Sequence, residues 1–141
     1  VAGCGGGDAD QGFAPGVSQP IAKVAFLAEA DRICHSTNAR VEAAADDLVS
    51  TGHDPPPAQV RRVVIGVAIP ALEAEVRAIR ALGFPTGDER EVGAIIAATE
   101  RGIAEIRADP VTVLDRPPPG LRQAGRLARA YGSRECGVPG G

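Results

Sequence analysis

The run Pro57-Ala58-Gln59-Val60-Arg61-Arg62-Val63-Val64-Ile65-Gly66-Val67-Ala68-Ile69-Pro70-Ala71-Leu72-Glu73-Ala74-Glu75-Val76-Arg77-Ala78-Ile79-Arg80-Ala81-Leu82 decides the fold class. Its first half carries Val60, Val63, Val64, Ile65, Val67 and Ile69 and is apolar nearly all round, so that on its own it suits a buried strand or a buried helix. Its second half places apolar residues at Leu72, Val76, Ile79 and Leu82, at the steps of three and four that belong to one helix face. The whole run is far longer than an ordinary strand of roughly 5–6 residues, so the spacing predicts a helix from Pro57 to Leu82. Pro70 falls in its middle. It lacks the amide that an interior position needs and its ring crowds the preceding turn, so a kink is expected there.

The same periodicity extends to both sides. Over Ile21–Ser50, Val24, Leu27, Ala30, Ile33, Cys34, Thr37, Val41, Ala44 and Leu48 form one stripe, with Ser18 as N-cap and Pro20 in the first turn. Gly52 and Pro55-Pro56-Pro57 end that helix. After the Gly83–Asp88 turn, where Asp88 or Thr86 can cap, Asp88–Ala108 shows Val92, Ile95, Ile96, Thr99, Ile103 and Ile106 in a heptad-like seam. Beyond Arg116-Pro117-Pro118-Pro119, a shorter helix over Gly120–Tyr131 carries Leu121, Ala124, Leu127, Ala128 and Tyr131, and Gly132 suits its end. Four amphipathic helices joined by Pro- and Gly-rich loops predict an all-α protein, an antiparallel four-helix bundle over residues 21–137. Residues 138–141 form a short disordered tail in this expectation.

Composition agrees. The 141 residues are one domain's worth of chain, 44% of them hydrophobic, and aromatics make up 3%. A core of Ala, Val, Ile and Leu suits closely packed helices better than a β-sandwich. The net charge of −3, with arginines interleaved among acids, argues against nucleic acid as a partner, which calls for a basic face.

The chain begins Val1-Ala2-Gly3-Cys4-Gly5-Gly6-Gly7. The first four residues resemble the lipobox of bacterial lipoproteins: an aliphatic residue, a small one, Gly or Ala, then Cys. The chemistry behind the pattern is a transferase that places diacylglyceryl on the thiol and a peptidase that cuts before the Cys, both needing small neighbours. The resemblance implies palmitate-type acylation at Cys4 and attachment to the extracytoplasmic face of the cell membrane; two or three acyl chains make such attachment lasting. The basic and apolar regions of a signal peptide do not precede Val1 in this sequence and are expected upstream. Residues 1–20 then read as a lipobox remnant followed by a flexible, disordered Gly/Pro/Asp tether of roughly 20–25 Å.

Setting Cys4 aside leaves two cysteines, Cys34 and Cys136. In an oxidising extracytoplasmic space they are expected to form a disulfide closing a loop of about 100 residues, with a stabilisation of up to roughly 4–5 kcal/mol. A buried free Cys34, or a redox or metal role, are the alternatives. Two segments, Ala30-Asp31-Arg32-Ile33-Cys34 and Ala128-Arg129-Ala130-Tyr131-Gly132-Ser133-Arg134-Glu135-Cys136-Gly137, resemble the paired ends of a group of small actinobacterial secreted or lipid-anchored helical proteins. The resemblance spans about Val24–Gly137. It implies an exported helical fold with bridged cysteines and brings no catalytic residue.

No enzyme is expected. His35 and His53 are the two histidines, and neither has a nucleophile beside it in sequence; Asp54 follows His53 in a loop. Asp46-Asp47 reads as a solvated pair, Glu73, Glu75, Arg77 and Arg80 as exposed helix charges, and Tyr131 as packing against the disulfide. The Gly5–Gly7 run lacks the Lys-Ser/Thr of a phosphate loop. No catalytic, metal or cofactor site is expected. Two functions remain. One is a non-enzymatic interaction module for an envelope protein. The other is a carrier of a small apolar ligand, with the Pro70 kink opening a gap between helices.

Overall fold

A computed structural model describes residues 19–137. Cys4, the tether up to Ser18 and the 138–141 tail lie outside the described residues. Those described form an all-helical protein of four packed helices, with no strand among them.

Helix α1 is Lys23–Val49. Ala22 stands at its N-cap with extended backbone and no side-chain cap, so Pro20 precedes the helix and does not enter its first turn. The buried stripe starts at Phe26 and continues through Ala30, Cys34, Thr37 and Leu48. Val24 is 80% exposed, against the expectation that it leads the stripe. Counting back in fours from Cys34 reaches Phe26, the larger apolar side chain, and a single helix face cannot hold both.

Helix α2 covers residues 57–81 without interruption. It is α-helical over Pro57–Val63, π-helical over Val64–Ala68 and α-helical again over Ile69–Ala81. Pro57 occupies the first turn, where a missing amide costs nothing. The expected disturbance at Pro70 takes the form of a π turn immediately before it, where the Ile69 amide reaches back five residues to the Val64 carbonyl. The buried residues explain the wider turn. Val60 and Val64 are four apart, but Val64 and Ile69 are five apart, before Val76 follows further along. One turn of five keeps both halves of the stripe on the core.

Helix α3 is Glu89–Ala108 and helix α4 is Pro119–Tyr131, linked through a 3-10 turn at Thr112–Leu114. Helix α3 buries Val92, Ile96, Thr99, Ile103 and Ile106 of its expected seam, leaves Ile95 half-buried, and adds Ala98 and Gly102. Its tightest neighbour is α4. A Cβ on Gly102 would stand 2.7 Å from the Leu121 backbone nitrogen, and one on Gly120 would stand 2.9 Å from the Ala98 carbonyl oxygen. Two glycines thus let the helix backbones touch. Pro118, at the N-cap of α4, has no capping side chain, and the Glu105 carboxylate of α3 accepts from the Gly120 amide at 2.8 Å instead.

Surface pairs record the helix directions. Arg107 pairs with Glu73 while Arg80 pairs with Glu100, so α2 and α3 run antiparallel. Gly102 meets Gly120 while Tyr131 meets Asp88, so α3 and α4 do too. Helix α1 packs along α2, and its direct backbone approach to α4 is sparse. The long edge between α1 and α4 is secured mainly at one end.

Candidate functional site

That secured end is built by the residues after α4. Gly132, at φ 119°, ends the helix, and the amides of Gly132 and Ser133 both return to the Ala128 carbonyl. The chain then turns across α1. Cys136 bonds to Cys34 with an S–S distance of 2.10 Å and Cα atoms 5.0 Å apart. Asp31, one turn before Cys34, accepts from the Ser133 hydroxyl and from the amides of Arg134 and Glu135 at 3.1 and 3.2 Å. Ser133 in turn accepts from the Cys136 amide at 2.9 Å, and the Asn38 amide nitrogen donates to the Glu135 carbonyl at 2.9 Å. The turn is thus tied to α1 by the disulfide and by side-chain bonds from Asp31 and Asn38.

Tyr131 closes the same end differently from expectation. Its ring meets Phe26 edge-on, with centroids 6.3 Å apart, and lies under the Lys23 ammonium at 4.0 Å. Its hydroxyl donates to Asp88 at 2.7 Å. Burial first, then the Asp88 carboxylate, raises the phenol's pKa well above its ordinary value. Asp88 does occupy the N-cap of α3, but its carboxylate serves Tyr131 and Lys23 and makes no cap bond.

Behind this clamp the bundle is hollow, and Cys34, Tyr131, Ser133 and Cys136 form part of the cavity's lining. A cavity of about 250 Å³ runs among all four helices, reaching from Phe26 past Val64, Ala68 and Leu72 of α2 to Leu114 and Pro118 of the connecting loop. It touches the π turn that precedes Pro70. Its walls are mainly apolar, and it is partly open to solvent. The half-buried Val41 and the exposed Glu42 of α1 lie along it, as does Leu114, 44% exposed.

Besides the exposed Glu42, a half-buried acid enters these walls. Glu75, on α2, lines the cavity on one side and an outer groove between α1 and α2 on the other. Burial pushes its carboxyl above the ordinary carboxylate range, and a hydrogen bond from Thr37 of α1 offsets part of the rise. Glu75 was expected to be an exposed helix charge. The signal against that expectation lies in the spacing, since Leu72, Glu75 and Ile79 are three and four residues apart and share a face. Arg80 is exposed as expected and pairs with Glu100, while Glu73 is half-buried and pairs with Arg107.

The other singled-out residues stay apart from the cavity. His35 is exposed and faces Glu135 at 3.3 Å; His53 is exposed, with Nδ1 3.0 Å from the Thr51 carbonyl oxygen. Asp46, Asp47 and Asp54 are exposed. Among the described residues no three His, Cys, Asp or Glu side chains converge as a metal site, and no helix is long and apolar enough to cross a membrane. The site can enclose hydrocarbon and offer it a half-buried hydrogen-bonding acid, Glu75. Comparison of the chain with protein-family models, with curated proteins and with solved structures finds no match.

Proposed function

We propose that this chain is a lipid-anchored, extracytoplasmic, non-enzymatic protein that carries a small apolar molecule inside its helical bundle. The carrying observation is the aliphatic cavity of about 250 Å³ beside the π turn. Ligand pockets are concave and mainly apolar, with few polar groups. An apolar cavity of roughly 150 Å³ lined by Leu, Ile and Phe already takes up benzene. A closed, dry core would have favoured the other reading, an interaction module whose surface binds an envelope protein. The cavity lies between helices and is too small to admit a helix, so a small molecule suits it better.

The anchor is supported by the lipobox-like Val1-Ala2-Gly3-Cys4 and the Gly-rich tether after it. Kinship with the small actinobacterial secreted proteins belongs to the same reading. It draws support from the way the two resembling segments, around Asp31–Cys34 and Tyr131–Cys136, meet in one clamp.

Toluene titrated into the protein tests carriage. Saturable binding with a rise in melting temperature is expected, and Ala44→Leu, which fills part of the wall, should weaken it while leaving helicity intact. Absence of saturable uptake by the native protein would overturn the carrier reading. Cys4→Ser in the full-length precursor should release the protein from the membrane fraction, and unchanged detergent partitioning would refute the anchor.

A further inference from the structure

Resting on the carrier reading, we propose that the cavity selects an apolar amine: a hydrocarbon body lodged among the helices, with one protonated nitrogen held by Glu75. The argument is one of charge complementarity. Among the described residues, Glu42 and Glu75 are the carboxylates that line the cavity, and no Lys, Arg or His lines it. The chain is rich in arginine, yet its arginines are placed elsewhere. Arg32 and Arg40 line the outer groove on the far side of Glu75, and Arg32 is engaged with Glu29 at 2.8 Å.

The groups facing Glu75 are therefore Thr37 from α1, those two arginines beyond the outer groove, and the apolar wall of the cavity. Glu75 is half-buried and borders the outer groove as well as the cavity, so an ammonium paired with it keeps part of its water while the attached hydrocarbon gains from burial among the helices. An ammonium on an apolar chain meets both conditions. A fatty acid is the wrong match: its carboxylate would enter a space whose charged groups are both acidic. A neutral alcohol fits the walls but leaves Glu75 without a charged partner.

Three ligands of one shape separate these cases. Octylamine, octanol and octanoate are titrated calorimetrically into the protein at neutral pH. Octylamine is expected to bind about tenfold more tightly than octanol, the scale of one charge-assisted hydrogen bond, and octanoate more weakly than octanol. Glu75→Gln should erase the amine's advantage and leave octanol unchanged, whereas Glu42→Gln should preserve the ranking. If octanol binds and the amine binds no better, or if Glu42→Gln alone removes the preference, amine selection by Glu75 is overturned and carriage stands. If neither octanol nor toluene binds, the carrier reading itself falls. Should Glu75→Gln not fold, the carboxyl carbon resonance of Glu75 in the native protein decides. It must move on adding octylamine and not octanol, and an unmoved resonance sinks the proposal.

Discussion

Gly102 and Gly120 meet backbone to backbone where α3 crosses α4, so closely that a Cβ on Gly120 would lie 2.8 Å from the Gly102 Cα. The two helices are thus held at a separation only glycine permits. Gly102→Ala forces the added carbon against the Leu121 backbone as well as its side chain. The gain in helix propensity, about 1 kcal/mol, is smaller than the overpacking cost expected when backbone must move. The net effect is a loss of about 1–2 kcal/mol, read by urea denaturation. Gly93, in the same helix, has nothing within 4 Å of an added Cβ, so Gly93→Ala should stabilise by up to about 1 kcal/mol. Equal signs for the two substitutions would contradict the close crossing.

The disulfide joins residues 102 positions apart and fastens the end of the chain to α1. Cys136→Ser should cost about 2–5 kcal/mol and lower the denaturation midpoint accordingly. The unlipidated oxidised protein, denatured without reductant, should release one titratable thiol, that of Cys4; three thiols would show the bridge absent.

Glu75 gives a pH dependence of definite sign. Its folded pKa is raised, so the protonated form folds more readily than the charged one. Its contribution is favourable below the ordinary carboxyl range and is lost as pH rises through the raised folded value. Glu75→Gln should therefore stabilise the protein at neutral pH, with the difference shrinking on acidification below that range. A stability gap that stays constant with pH would rule this out.

Tyr131 is the chain's one tyrosine, and there is no tryptophan, so phenolate absorbance reports it alone. Its pKa is raised by burial and by Asp88, and folding stability from this group is lost only on the alkaline side of the ordinary value of 10.0. Alkaline titration should show phenolate arising together with loss of helicity, as one cooperative step. A smooth titration around the ordinary value in a folded chain would mean that the Tyr131–Asp88 contact is absent in solution.

Much of this architecture is legible in the sequence because a helix writes its buried face at steps of three and four. Most of the seam of α3 reads off the sequence, Ile95 excepted, and so does the glycine that ends α4. The pairing of Cys34 with Cys136 is the one left once Cys4 is set aside. Other features depend on what lies across the bundle, which spacing along one helix cannot reveal. Phe26 displaces Val24 because Tyr131 waits opposite it. Asp88 forgoes its capping bond because a phenol and an ammonium offer better partners. Glu75 stands on an apolar stripe in plain view, but its burial becomes meaningful only once Thr37 and the hollow interior face it. The π turn leaves a fainter mark, the interval of five between Val64 and Ile69.

That interval makes α2 a place where the chain can lose a letter. Elsewhere in a helix, deleting one residue rotates everything after it by about 100° and turns the buried face outward. Here Ile65, 46% exposed, and Gly66, open to solvent, sit inside the wide turn. Removing either converts five to four and leaves Ile69, Val76 and the rest of the stripe in register, at the cost of setting Pro70 beneath an ordinary α turn. Length variation by a single residue is thus accommodated at this one point of the helix, and it would be spent on the contour of the cavity wall, leaving the packing of the core in place.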